Sequence, residues 1–313
     1  MFLSLDDDRT RTLLKRAALT AWLLLVGWIV FRQAREMDWP QVVQALRSFD
    51  GAAIAGAFLL GLPAFAACAS FDLVGRHATG HDLPVRRVMA ISWTGYFFSL
   101  NLGALIGGLA FRYRLYMPYG LPGMTISQVI GLSIVTNWSG YVPIAGGILA
   151  WQPPDLPPQW GVSDTVMRGT GILLLAVSLA YFALCAFKGG SKLRWRGSDI
   201  ELPNLRIAAL QVALSGASWG GTGAIITWLL PGDISWFTVM PVLMISAIAG
   251  IWSHVPSGLG VIELVFIGML GHRAPDTQVL AAILVFRLVY YLVPFALALV
   301  TYAWLEATAK KRR

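Results

Sequence analysis

Six stretches of the chain are apolar at nearly every position: 13–31, 52–74, 125–149, 166–187, 206–230 and 278–305. None shows the alternation of a half-buried strand or the single apolar stripe of a surface helix. A helix that is apolar all round belongs in a core or a bilayer, and about 20 such residues cross the ~30 Å of hydrocarbon. The pattern therefore predicts six transmembrane helices. Two further apolar stretches are interrupted near their middles. Residues 88–118 contain Ser99-Leu100-Asn101-Leu102-Gly103, and residues 235–271 contain Ser253-His254-Val255-Pro256-Ser257-Gly258. Broken backbone at membrane depth is tolerated only where it faces protein or a cavity, so both stretches are predicted as re-entrant helical hairpins. The expected architecture is an all-α polytopic bundle filling residues 1–313 as one integral membrane domain.

Charge placement separates this arrangement from eight plain crossings. Eight crossings would put the basic loop Lys188, Lys192, Arg194, Arg196, Arg206 outside and the loop 150–165, which has no Lys or Arg, inside. Cytoplasmic loops normally carry the excess of Lys and Arg. Turning the two interrupted stretches into hairpins, the first entered from the cytoplasm and the second from outside, reverses both assignments. Of the 24 Lys and Arg, 18 then lie on the cytoplasmic side, with both termini, and only Arg32, Arg35, Arg47, Arg168 and Arg273 lie outside. Hairpins entering from opposite faces imply an inverted repeat, although no repeat is visible in the residues themselves.

Composition agrees with the pattern. Apolar residues make up 57% of 313 and charged residues 13%, against about 25% charged in a soluble domain. The thirteen Trp cluster near span ends, as interfacial anchors do. The net charge of +8 is spread through short loops, which argues against a nucleic-acid partner and for positive-inside topology. The run 13–31 has no small-residue cleavage pattern and is read as a retained first span. Asp38-Trp39-Pro40 predicts the start of a short interfacial helix. Cys68 and Cys185 lie in apolar segments with no disulfide or metal spacing.

The densest chemical signal is His254-Val-Pro-Ser-Gly-Leu-Gly-Val-Ile-Glu263. Pro256 ends one helix, and Gly258 and Gly260 let the next begin with an approachable backbone. A helix start presents unpaired N–H groups to an anion, and Glu263 lies in its first turn. Arg287 is the other charge inside a span and must find a partner, either Glu263 or a lipid phosphate. Arg112 and Arg114 follow the first break and are expected to snorkel to the cytoplasmic interface. Gly103/Gly107 and Gly216/Gly220 have the spacing of close helix packing. Asn137 and Asp72 are expected to hydrogen-bond between helices, with lining a pathway as the alternative. His77 and His81 beside Asp82 lack a third ligand, so no metal site is assigned, and no cofactor motif is present.

These residues carry a family resemblance. Pro256-Ser-Gly-Leu-Gly-Val-Ile-Glu263, the Arg287…Tyr291…Pro294 pattern and Gly108 followed by Arg112 resemble the lysylphosphatidylglycerol synthase transmembrane-region family. Asn137-Trp138-x-Gly140-Tyr141 and Arg112-Tyr-Arg-Leu-Tyr116 are similar to its YbhN-like bacterial inner membrane members. The resemblance implies a helical membrane domain linked to phospholipid translocation, without lysyl transfer, since the sequence stops after its last span. The family often has an acidic residue after the first-hairpin glycine, where this chain has Leu109.

The expected function is a non-enzymatic inner-membrane phospholipid translocator, or a lipid-binding protein for anionic or aminoacylated phospholipid. Its expected lipid site comprises His254, Gly258, Gly260, Glu263, Arg287, Arg112, Arg114 and Asn137. The alternative is a non-transporting scaffold or regulator of lipid and envelope homeostasis, with a homo-oligomer or an envelope protein as further partner.

Overall fold

The computed structural model describes residues 28, 35, 39–156, 161–195, 198–232, 234–253 and 255–310. The expected first span 13–31, except Trp28, lies outside them, as does His254. Packing divides the chain into two compact units, Met1–Val43 and Gln44–Arg313, and the second carries the candidate site.

Among the described residues the helices in chain order are α1 (Trp39–Ser48), α2 (Gly51–Thr79) and α3 (Val85–Leu102). A π-helical turn over Ala104–Ala110 leads into α4 (Phe111–Tyr116), then α5 (Gly123–Ser139) and α6 (Tyr141–Trp151). After α7 (Asp164–Lys188), strands β1 (Lys192–Trp195) and β2 (Ser198–Glu201) pair antiparallel in the basic loop. There follow α8 (Leu205–Leu229), α9 (Trp236–Ser253), α10 (Val261–Leu270) and α11 (Asp276–Phe286). A second π-turn over Arg287–Leu292 continues into α12 (Val293–Lys310). Four of these helical runs, Gly51–Thr79, Asp164–Lys188, Trp236–Ser253 and Asp276–Ala309, are long and apolar enough to cross a membrane. The protein is an all-α polytopic membrane bundle.

Local chemistry sets several boundaries. The Asp50 carboxylate accepts from Ala53 N–H at 2.6 Å to cap α2, and Gly80 ends that helix with φ +65°. Asn204 caps α8 through Ile207 N–H at 3.0 Å. One expected span is divided: 125–149 is two helices, α5 and α6, meeting at Gly140. Pro143 has no N–H to offer the Ser139 carbonyl. At Gly140 the chain presses on α8 so closely that a Cβ would lie 2.6 Å from Gly216 N. The break thus combines a local cause, Pro143, with a tertiary one, the approach of Gly216, which a continuous apolar run conceals.

Helices α2 and α8 form the central pair and run antiparallel. Trp228 donates to Ala53 O at 2.8 Å near one end, Ala64 packs on Gly221, and Cys68 meets Ser218 at 3.3 Å towards the other. Each is followed by a helical hairpin. In hairpin 1, α3 folds back at Gly103 (φ +88°) along 104–116, with Gly107 against Phe98 and Arg112 across Gly95. In hairpin 2, α9 returns as α10, with Gly250 beside Gly258 near the tip. The ten residues of α10 span about 15 Å, half a bilayer core.

The starts of α2, α3 and α5 at 51, 85 and 123 recur in α8, α9 and α11 at 205, 236 and 276, which are offsets of 154, 151 and 153. Because α2 and α8 are antiparallel, the hairpins that follow them start at opposite ends of that pair. That order and direction are what an inverted repeat would give, although no repeat is visible in the residues.

Candidate functional site

The tips of the two hairpins meet. Ser257, in the break of hairpin 2, donates its hydroxyl to the Asn101 carbonyl of hairpin 1 at 3.2 Å. The Asn101 amide in turn reaches the Phe97 carbonyl at 2.8 Å and the Tyr291 carbonyl at 3.5 Å. Tyr291 belongs to the π-turn, where widened backbone geometry frees carbonyls for such contacts. The tips thus join three interrupted segments through polar backbone atoms buried among apolar helices.

Each hairpin also carries a largely sheltered charge on its returning arm, Glu263 in hairpin 2 (side chain 12% exposed) and Arg112 in hairpin 1. In hairpin 2 it is Glu263, which forms a two-pronged pair with Arg287. Nε bonds one carboxylate oxygen, and Nη2 bonds the other at 2.9 Å. Arg287 continues to the carbonyls of Ser257 at 3.0 Å and Gly258 at 2.8 Å. Its guanidinium is 2% exposed and stacks 5.5 Å from the Tyr291 ring. The expected partnership of Glu263 with Arg287 is therefore formed.

The expected N–H cradle at Gly258 is not formed. The Gly258 N–H closes a turn onto the Val255 carbonyl at 2.9 Å, and its carbonyl faces Arg287. Ser257, Gly258 and Gly260 have φ of +58°, +57° and +78°. At Gly260 a Cβ would meet open space, so glycine is needed there for its left-handed backbone.

In hairpin 1 the buried charge is Arg112, 5% exposed, so it does not snorkel to an interface. It faces the fully buried Asp72 of α2, Nη2 to Oδ1 at 3.6 Å, while the Tyr116 hydroxyl donates to the other Asp72 oxygen at 2.9 Å. Asp72 was expected to hydrogen-bond between helices, but its pairing with Arg112 was not anticipated. Arg114 pairs with Glu306 at 2.7 Å and with the Tyr302 hydroxyl at 3.0 Å, on α12. Both arginines after the first break thus serve carboxylates of neighbouring helices.

Asn137 sits at the α5–α6 break, apart from the hairpin tips. Its carbonyl accepts from Ser215 at 2.6 Å and Trp219 at 2.9 Å. Sequence reasoning missed one further feature, a polar–aromatic core between α2, α3, α8 and α11–α12. Tyr96 and Tyr290 hydroxyls lie 3.2 Å apart, Cys68 approaches Tyr290 and Ser218, and Phe65 stacks on Tyr290. Periodicity gave no signal for it, because its Tyr, Phe and Cys members look apolar within apolar runs. Among the described residues no group of three or more His, Cys, Asp or Glu stands ready to hold a metal.

A profile of the Lysylphosphatidylglycerol synthase TM region family matches residues 17–298. The chain belongs to this family. It is 38% identical to Inner membrane protein YbhN of Escherichia coli over 93% of both chains. It is 25% identical to the Phosphatidylglycerol lysyltransferase of Bacillus subtilis over 89% of this chain, but over only 33% of that protein. A similar enzyme of Staphylococcus haemolyticus is 21% identical over 94% of this chain and 34% of its own length. Membership of a synthase TM-region family, an all-helical bundle and the apolar runs agree that this is a multi-pass membrane protein. The site residues of both hairpins fall inside the family match.

Proposed function

We propose that the protein binds anionic or aminoacylated phospholipid in the bacterial inner membrane and moves it across, without itself catalysing lysyl transfer. The observation carrying this reading is the meeting of the two hairpin tips at Ser257 and Asn101. Hairpins from an inverted repeat that converge near mid-membrane are the arrangement in which transporters place a substrate. The lysyltransferases among the relatives support a phospholipid as that substrate, and the YbhN relative supports the inner membrane as its location. The hairpins are read as re-entrant, hairpin 1 from the cytoplasm, with both termini on that side.

The test is reconstitution of the purified chain into liposomes carrying a fluorescent phosphatidylglycerol in one leaflet. Dithionite accessibility should show lipid crossing faster than in empty liposomes. Ser257→Ala, which loosens the tip contact, should change that rate without unfolding the protein. A parent rate equal to that of empty liposomes overturns transport. One observation favours a second reading: Arg287 already binds Glu263 and two carbonyls, as a purely structural lock would. In a scaffold of that kind Ser257→Ala alters stability alone.

A further inference from the structure

Where hairpin 1 opens, buried hydrogen-bond donors outnumber acceptors. Among the described residues six buried side-chain atoms have no hydrogen-bond partner; His81 Nε2, Arg87 Nη1 and the Tyr119 hydroxyl lie at this mouth, and Asp72 Oδ1 and Arg112 Nε deeper in the hairpin, where Arg112 crosses Gly95. Asp72 Oδ1 has at least the charge of Arg112 beside it. The other four are donors. His81 Nδ1 accepts from Leu83 N–H at 3.4 Å, so the neutral ring carries its proton on Nε2.

These groups are gathered by helix geometry. Arg112, Tyr116 and Tyr119 stand at i, i+4 and i+7, one face of the returning arm. The His81 ring lies 6.2 Å from that of Tyr116, and the Arg87 guanidinium sits 4.9 Å over Tyr119. Arg76 is held alongside by its bond to the Leu83 carbonyl at 2.7 Å. A buried donor without an acceptor costs about 1–3 kcal/mol, so several in one place favour a ligand made of acceptors. Three arginines against Asp72 and Asp82 make that ligand an anion.

We propose that this mouth is an oxyanion subsite, in which His81, Arg87 and Tyr119 hold a phosphate group and Arg76 and Arg112 supply the attracting charge. The phosphate is that of a lipid headgroup or free inorganic phosphate. In its lipid form the subsite deepens the function proposed above and rests on it, as the place where a headgroup is first captured. It is separate from Arg287, whose donors are occupied.

Calorimetric titration of the full chain in detergent tests it, with dihexanoyl-phosphatidylglycerol and inorganic phosphate as the two probes. Arg87→Gln, His81→Gln and Tyr119→Phe should each weaken binding, by roughly tenfold for the charge-assisted bond of Arg87. Arg273→Gln, which breaks an exposed pair with Asp155 at the mouth of hairpin 2, should leave binding unchanged. Saturable binding of the lipid but not of phosphate assigns a headgroup site, and competition by phosphate assigns a free-phosphate site. Binding of neither probe, or equal binding by the three variants and the parent, overturns the subsite. If the parent moves no lipid yet still binds a probe here, transport falls and the subsite stands. If it moves lipid while the variants bind like the parent, the subsite falls alone.

Discussion

The two hairpins follow the two members of the central antiparallel pair, yet they handle the charges on their returning arms in opposite ways. Hairpin 2 carries an acid, Glu263, and meets an arginine on the following helix. Hairpin 1 carries an arginine, Arg112, and meets an acid on the preceding one. The second pair is closed: Arg287 adds two backbone carbonyls to a two-pronged carboxylate contact. The first is open, with 3.6 Å between the charges and an unpartnered Nε on Arg112. A closed pair fixes a backbone break, whereas an open one leaves capacity for something else. The difference points to hairpin 2 as the structural member and hairpin 1 as the receptive one.

Four experiments break or sharpen that contrast. The largest effect belongs to the closed pair. Glu263→Gln or Arg287→Met should each destabilise by about 3–5 kcal/mol, because the partner stays buried and uncompensated. The double variant should recover only part of this, since Ser257 and Gly258 carbonyls lose their donor as well. Unfolding midpoints in mixed detergent would show it, and strictly additive losses would mean the two residues are not coupled.

Next come the glycines, which serve different ends. Gly107→Ala should cost about 3 kcal/mol, because its Cβ would lie 2.0 Å from the Phe98 carbonyl oxygen. Gly260→Ala meets open space and should cost only the left-handed backbone strain, about 1–2 kcal/mol. Equal losses at the two sites would refute the distinction between close approach and conformation.

Asp72→Asn should cost about 2 kcal/mol, less than Glu263→Gln, because the looser pair contributes less and the amide still accepts from Tyr116. A loss as large as that of Glu263→Gln would make the first pair as structural as the second.

The smallest effect is pH-dependent. Burial, and then Arg76, hold the His81 pKa below its ordinary 6.5, against weaker pulls from Asp72 and Asp82, while Tyr116 packs on the ring. A depressed folded-state value means the neutral ring is favoured, so stability is full above pH 6.5 and declines as pH falls through the folded-state value. His81→Gln should flatten the melting temperature between pH 7.5 and 5, values chosen to bracket the ordinary histidine pKa of about 6.5. A bound phosphate should flatten it too, by offsetting Arg76.

What could be read from the sequence follows the same divide. Glu263 and Arg287 were legible because charges deep in apolar runs have no local excuse and must meet. The breaks at Gly103 and Pro256 were legible because glycine and proline act on their own backbone. Asp72 with Arg112 was not, since one ends a span, the other follows a break, and snorkelling explains each alone. The divided helix at Gly140 was only half legible: Pro143 stands in the sequence, but the approach of Gly216 from another helix does not. The Gly258 half of the anticipated anion cradle is taken by the Val255 carbonyl, because sequence shows which N–H groups a glycine turn could expose, but not which turns close on them.

One hydroxyl joins the hairpin tips, from Ser257 to the Asn101 carbonyl. A hydrogen bond of that kind contributes about 1 kcal/mol, which biases an equilibrium only about fivefold. By itself, then, it is a weak fastening: Ser257 and Gly258 are also held by Arg287, and Asn101 by the Phe97 and Tyr291 carbonyls. A bond that small costs little to break, so neither tip depends on the other to keep its own fold.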